Sequence, residues 1–282
     1  MTFNSFGKII DDLEMYLASI SEGVVSKKIK TFNFCGMGEG LLDKDLPLFI
    51  KKAKSIADEV QLITNGALLN NELSLALIDA GLDNIRISLQ GLNADDYFRV
   101  CGVKLDFENF RKNIKFLYEN KKQCTVCLKI IEGIDGVTYR QEDLLAVFGS
   151  ICDVILTERA IRLQQGTAQL QDGTLYSSQT HEVQVCFLPF YRMYISANGD
   201  VLCGSDAIIV GNLLENTFSE VWQGKKLNDL WILQLSGKRA EHPPCSTCSF
   251  PNYLYTEYND IDECRELLLA KYRAQYPSIT HQ

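Results

Sequence analysis

Histidine is nearly missing from this chain: His181, His242 and His281 are the only three, set far apart in the sequence. No Ser-His-Asp arrangement stands out from so few imidazoles. Cations are also short, with 28 Lys and Arg against 36 Asp and Glu and a net charge of -8. That balance argues against a broad phosphate-binding surface, although a local basic channel is compatible with it, and nucleic acid is not an expected partner. The first thirty residues hold no long apolar run, so neither a secretory signal nor a membrane span is expected. The expectation is a cytoplasmic protein with no membrane partner. There is no internal repeat, no low-complexity tract and no Walker phosphate loop.

Cysteine, by contrast, is plentiful, with ten in the chain. In a reducing compartment they are not expected to form a disulfide framework, which leaves metal ligation, catalysis or plain burial. Four fall into two pairs, Cys186 and Cys203 in CFLPFYRMYISANGDVLCGSD and Cys245 and Cys248 in PPCSTC. A CxxC spacing lets one tight turn aim both sulfurs at a single ion or cluster, and the upstream pair can complete a set of four thiolates. On spacing alone, structural zinc and an iron-sulfur cluster both suit. Cys124 and Cys127 lie along an extended segment that turns them to opposite faces. They read as buried packing residues, as do Cys35, Cys101, Cys152 and Cys264.

The apolar pattern predicts an α/β fold. Phe6, Ile9, Ile10, Leu13, Leu17 and Ile20 recur at helical spacing. Strands are expected at 30–35, 60–64, 84–89, 125–131 and 153–157, and helices at 45–57, 70–80, 106–120 and 141–150. Strand and helix alternate, as in βα units with a parallel sheet or part of a barrel, where ligands lie at the C-terminal strand ends. The rhythm stops near residue 157. A connector over 161–185 leads to a hairpin whose strands, at 193–195 and 200–203, flank Ala197-Asn198-Gly199. Helices are then expected at 218–235 and 261–272.

Three successive strands deliver polar or glycine residues to one rim. The first runs into FNFCGMGEG, where Gly36 and Gly38 lead into Glu39, the second into Thr64-Asn65-Gly66 and the third into Ser88-Leu89-Gln90-Gly91. Glycines let a ligand approach the backbone closely. Taken singly, each segment suits a plain strand-to-helix turn as well as a binding site.

GMGEGLL, ITNGALL and RISLQGLNADDYFRVCG, in this order and spacing, resemble the motifs of radical S-adenosylmethionine enzymes. The stretch from Cys186 to Cys248, with GNLLENTFSEVW, is similar to a SPASM or twitch-type auxiliary module. The resemblance implies a partial (β/α) barrel over 1–160, a connector over 161–185 and a β-hairpin and helix cluster-binding module over 186–282. It implies that Gly36, Gly38 and Glu39 belong to the S-adenosylmethionine site, with Gly38 and Glu39 receiving the ammonium group. Thr64 or Asn65, and Ser88 with Gln90, would lie near the ribose, and Ile131 and Gly133 near the adenine. Cys186, Cys203, Cys245 and Cys248 would hold an auxiliary [4Fe-4S] cluster. The implied activity is formation of a 5'-deoxyadenosyl radical that oxidises or modifies a peptide, sugar or small-molecule substrate. A flavodoxin or ferredoxin would donate the electron.

One departure stands out. The family's first strand and its CxxxCxxC loop are not found in this sequence, and MTFNSFGKIIDDL resembles the helix that follows that loop. The expectation is an N-terminally truncated enzyme. The alternative is a non-catalytic α/β binding or partner protein stabilised by zinc or an iron-sulfur cluster.

Overall fold

The computed structural model describes residues 1–20, 28–36, 38–132, 138–160, 174–175, 179, 181–204 and 208–275. They belong to two compact units, Thr2–Ala160 and Ile161–Gln282.

The first unit opens with helix α1 (Phe3–Ser19), whose start is capped by Thr2 accepting from the Ser5 N–H and whose inner stripe buries Phe6, Ile9, Ile10 and Leu13. Five strands follow: β1 (Ile29–Phe34), β2 (Ala57–Thr64), β3 (Asn84–Leu89), β4 (Thr125–Glu132) and β5 (Val154–Arg159). They pair in parallel and in sequence order, β1-β2-β3-β4-β5. Between them run α2 (Leu46–Ala53), α3 (Asn71–Asp79), α4 (Ala94–Cys101), α5 (Phe107–Asn120) and α6 (Gln141–Phe148). This is the α/β architecture expected of a partial barrel.

Alternation along the strands separates two faces. Val60, Leu62, Ile85, Ile87, Val126, Leu128 and Ile130 are buried with Leu77, Ile114 and Phe148 of the helices. The other face is polar: Gln61 Nε2 donates to Asn84 Oδ1 at 2.9 Å, and Lys129 pairs with Glu158 at 2.9 Å. At the N-terminal strand ends the same device occurs twice. Asp83 accepts from the Val60 N–H and from Lys54, and Asp153 accepts from the Val126 N–H and from Lys121. Each carboxylate fixes the register of the preceding strand and satisfies an amide that the ladder leaves open.

Several expected boundaries shift. The helix expected over 45–57 ends at Ala53, and β2 begins at Ala57 because the backbone already pairs there with Ile29. Helix α4 was not expected, although Asn93 caps it by accepting from the Asp96 N–H, and Gly102, at φ 69°, closes it. Three of the cysteines read as packing residues are exposed instead: Cys35, Cys101 and Cys264. Cys35 follows β1 onto the rim, Cys101 is the last residue of α4, and Cys264 precedes a helix whose Leu267 faces solvent. Cys124, Cys127 and Cys152 are buried, with burial pushing the Cys124 thiol up to about 12.

In the second unit, α7 (Leu188–Tyr191) precedes a three-stranded antiparallel sheet of β6 (Tyr194–Ile195), β7 (Asp200–Leu202) and β8 (Ile209–Asn212). The expected hairpin is β6-β7, with Gly199 at φ 88° in its turn, and β8 is a third strand that its sequence did not announce. The single helix expected over 218–235 is two, α8 (Phe218–Trp222) and α9 (Lys225–Leu235), divided at Gly224. A Cβ there would sit 2.5 Å from the Glu220 carbonyl oxygen. Short helices α10 (Pro243–Ser246) and α11 (Phe250–Tyr253) follow, then α12 (Arg265–Gln275), which starts later than expected. Trp231 is buried, stands edge-on to Trp222 at 5.2 Å, and donates its indole N–H to the Pro189 carbonyl at 2.8 Å. No described helix is long and apolar enough to cross a membrane.

Candidate functional site

The parallel sheet carries its polar rim at the C-terminal strand ends. β1 runs out into Cys35 and Gly36, both exposed, and Glu39 then caps a 3-10 turn over Gly40–Leu42. The Glu39 carboxylate reaches to the end of β2. Its Oε1 accepts from the Leu41 N–H at 3.0 Å and from the Thr64 hydroxyl at 2.6 Å, while Oε2 accepts from the Asn65 N–H at 2.9 Å. Thr64, only 3% exposed, in turn accepts from the Gly66 N–H at 3.0 Å. Glu39, Thr64 and Asn65 thus form one hydrogen-bonded unit, although Glu39 lies 25 residues or more from the other two in sequence.

A carboxylate can accept about four hydrogen bonds, so three donors leave Glu39 Oε2 open to one more. Among the described residues no cation pairs with it. A Cβ on Gly38 would meet nothing within 4 Å, so the backbone beside the carboxylate is open to close approach. An ammonium ligand suits both the charge and the space.

Ser88 and Gln90 stand at the end of β3, one strand further along, and Ser88 is in register with Lys129 of β4. The turn after Gln90 is tightly built. Asp96 accepts from the Leu92 N–H and from the Asn93 side chain, and a Cβ on Gly91 would lie 2.1 Å from Asp96 Cβ. Only glycine fits there. Ile131, near the end of β4, is exposed, and Gly133 lies outside the described residues. Tyr97 of α4, buried near Gln90 with its phenol pushed upward by burial, was not expected at this rim. Its place inside an unrecognised helix hid it.

The second unit holds the four cysteines singled out by spacing. Cys186, Cys203 and Cys245 are buried and Cys248 is half-buried. Cys186, Cys245 and Cys248 line one hollow with Gly204, Gln234 and Arg239, whereas Cys203 stands next to Gly204 in the chain, buried but off the lining. Among the described residues, no three His, Cys, Asp or Glu side chains close around a point as the ligands of one ion do.

Local chemistry explains why the thiols sit where they do. The His242 carbonyl accepts from the Cys245 N–H at 2.8 Å, and the Cys245 carbonyl from the Cys248 N–H at 3.2 Å, so the CxxC turn winds on from Pro243 and Pro244. On the other side, Asp262 accepts from the Gln184 and Val185 N–H groups at 2.9 and 2.8 Å, holding the segment that ends in Cys186. Arg239 links the two by donating to the Val183 and Cys248 carbonyls. Burial pushes the Cys186 thiol up to about 12, with Cys248 and Cys245 adding to the rise, and burial takes Cys203 to about 11. Soft thiol donors, three of the four buried, fit an iron-sulfur cluster in their chemistry.

A parallel α/β sheet with a glycine and carboxylate rim is followed in the chain by a small module that carries four spaced cysteines. The chain belongs to the Radical SAM superfamily, which it matches over residues 6–147, and residues 186–249 match SPASM, an iron-sulfur cluster-binding domain. These families bind iron-sulfur clusters and S-adenosylmethionine.

Several relatives are named "Probable GTP 3',8-cyclase", two of them as follows. The Thermococcus kodakarensis protein is 30% identical over 125 residues, covering 43% of this chain and 39% of that protein. The Sulfolobus acidocaldarius protein is 42% identical over 78 residues, covering 27% and 24%. The chain therefore spans well under half the length of these curated relatives. Among solved structures, Streptococcus suis SuiB bound to precursor peptide SuiA aligns with a TM-score of 0.56 at 16% identity, over 86% of this chain and 63% of that one. BtrN in complex with AdoMet and 2-DOIA aligns at 0.52 and 16%, over 88% and 80%. At such identity the likeness establishes the fold.

Proposed function

We propose that the chain is the substrate- and cofactor-binding part of a radical S-adenosylmethionine enzyme that oxidises or modifies a peptide, sugar or other small molecule. The observation that carries this reading is the Glu39-Thr64-Asn65 unit, a carboxylate without a cationic partner among the described residues, held open at the strand ends beside Gly38. Glu39 and Gly38 receive the ammonium group of S-adenosylmethionine, with Gly36 in the same turn. Thr64 keeps the carboxylate oriented, while Asn65, Ser88 and Gln90 meet the ribose, and Ile131 lies by the adenine. S-adenosylmethionine supplies, when bound, the 5'-deoxyadenosyl radical chemistry of the family. The protein's own contribution is to bind, orient and exclude water.

Cys186, Cys203, Cys245 and Cys248 would hold an auxiliary [4Fe-4S] cluster. A cluster bound there supplies one-electron chemistry or a fixed point against which substrate is placed. A flavodoxin or ferredoxin is the electron donor. The similar proteins carry names that speak of GTP, of a precursor peptide and of 2-DOIA, which spans nucleotides, peptides and small molecules.

Anaerobic calorimetry with S-adenosylmethionine, followed by addition of dithionite, tests the reading. The 282 residues, which contain no CxxxCxxC, are expected to bind S-adenosylmethionine weakly and saturably and to release no 5'-deoxyadenosine. Absence of any binding, together with absence of iron, contradicts the reading.

A further inference from the structure

Gln234 has no charge, no surface and no part in the cysteine pattern, yet it touches two of the four cysteines at once. It lies in the last turn of α9 and is fully buried. Its Oε1 accepts from the Cys186 N–H at 3.0 Å, and its Nε2 donates to Cys245 Sγ at 3.4 Å. Cys186 and Cys245 lie far apart in the chain, and a single amide fixes both to the same helix. A buried glutamine needs partners for both ends of its amide, and here one partner is the backbone of one cysteine and the other is the sulfur of another. Those two demands fix which way the amide points: the end facing Cys245 is the N–H end, because the Cys186 N–H can only be met by the oxygen.

We infer that Gln234 is a positioning residue of the auxiliary cluster, donating an N–H···S hydrogen bond to the Cys245 thiolate and so raising the cluster's reduction potential. The inference rests on the cluster reading of the four cysteines. Hydrogen bonds to ligating sulfurs stabilise the extra negative charge of the reduced state, and they are among the features that set potentials in such clusters. Burial of Gln234 and Cys245 strengthens the effect, since a hydrogen bond is stronger in a low-dielectric interior. Arg239, the nearby cation, donates to the carbonyls of Val183 and Cys248, whereas the amide of Gln234 donates to the Cys245 sulfur itself.

The test is a potentiometric titration of the anaerobically reconstituted 282-residue chain, followed by EPR, for the wild type, Gln234→Glu and Gln234→Leu. Gln234→Glu keeps an acceptor for the Cys186 N–H and removes the amide donor to Cys245, and because it also changes charge, the deuterium measurement below, made on the wild type, reads the N–H···S contact by itself. Its iron and sulfide content is expected to match wild type, with the midpoint potential moved to a more negative value. Gln234→Leu, which loses both contacts, is expected to shift the potential in the same direction and to lower the iron content as well. A control needing no variant is resonance Raman of the wild type in water and in deuterium oxide, where an exchangeable N–H on sulfur shifts an Fe–S(Cys) stretching band. A fully loaded Gln234→Glu chain with the wild-type potential, or Fe–S bands unmoved by deuterium, overturns the inference alone. A wild type that takes up no iron overturns the cluster reading and this inference with it.

Discussion

The Thr64 hydroxyl donates to Glu39 Oε1 at 2.6 Å and ties the loop after β1 to the end of β2. Without that bond the glycine-rich segment has no fixed partner for its carboxylate on the neighbouring strand except one backbone amide. Thr64→Ala removes both the donor to Glu39 and the acceptor for the Gly66 N–H. The expected loss is about 1–3 kcal/mol, because a buried polar network loses one of its members. Urea unfolding at constant m-value measures it, and Thr64→Ser, which keeps the hydroxyl, should recover most of the loss. An unchanged midpoint in Thr64→Ala would show that the bond contributes nothing.

Glu39→Gln keeps the shape and removes the charge. Hydrogen bonds to charged groups are worth about 1.5–3 kcal/mol, so affinity for S-adenosylmethionine should fall by roughly tenfold or more. Isothermal titration under anaerobic conditions reads this directly. Equal affinity in the two proteins would place the ammonium group elsewhere.

Gly66 is held at φ 72°, and a Cβ there would lie 2.8 Å from Ile87 Cγ2 and 3.2 Å from the Phe110 ring. Both the backbone and the packing therefore reject a side chain. Gly66→Ala should destabilise the chain by about 1–3 kcal/mol, with a lower thermal midpoint and weaker S-adenosylmethionine binding, since Thr64 and Asn65 precede it directly.

Asp153 carries a pH dependence of defined sign. Burial pushes its carboxyl up, but the bonds from the Lys121 ammonium and the Val126 N–H outweigh burial and hold it below the usual range. A carboxyl depressed in the folded state stabilises fully above the unfolded pKa of about 3.9, and that contribution is lost as pH falls through the lower folded value. The urea midpoint of the wild type should therefore fall more steeply below about pH 4 than that of Asp153→Asn. Parallel curves for the two proteins would refute the assignment.

Much of the first unit could be read from the sequence because its strands alternate and its helices carry caps. β3 and β5 fall within a residue or two of expectation, and Asn70 and Asp106 cap α3 and α5 by accepting from the N–H groups of Leu73 and Asn109. What escaped was short or depended on distant partners. Helix α4 is only eight residues long, and although Ala94, Tyr97, Phe98 and Cys101 recur at helical spacing, the stripe spans two turns and Tyr97 is its one buried side chain. β8 is four residues whose pairing with β7 is settled across a bulge. At the rim, the glycines and Glu39 stood out, but the grip of Glu39 on Thr64 and Asn65 is a contact between strands that no local pattern encodes. At the thiol-lined hollow, the cysteines were visible by spacing, whereas Gln234 looks in sequence like any polar residue of an amphipathic helix. Its meaning comes from burial and from two partners on other segments of the chain.

Metal analysis of anaerobically purified and reconstituted protein decides whether Cys186, Cys203, Cys245 and Cys248 together hold an iron-sulfur cluster, as proposed. The expected result is about four irons and four sulfides per chain with a brown chromophore, as for a [4Fe-4S] cluster held by four thiolates. Loss of the cluster should follow Ser substitution at any of the four positions but not at Cys127. One zinc and no sulfide per chain, or iron retained when Cys245 and Cys248 are both replaced, would contradict it.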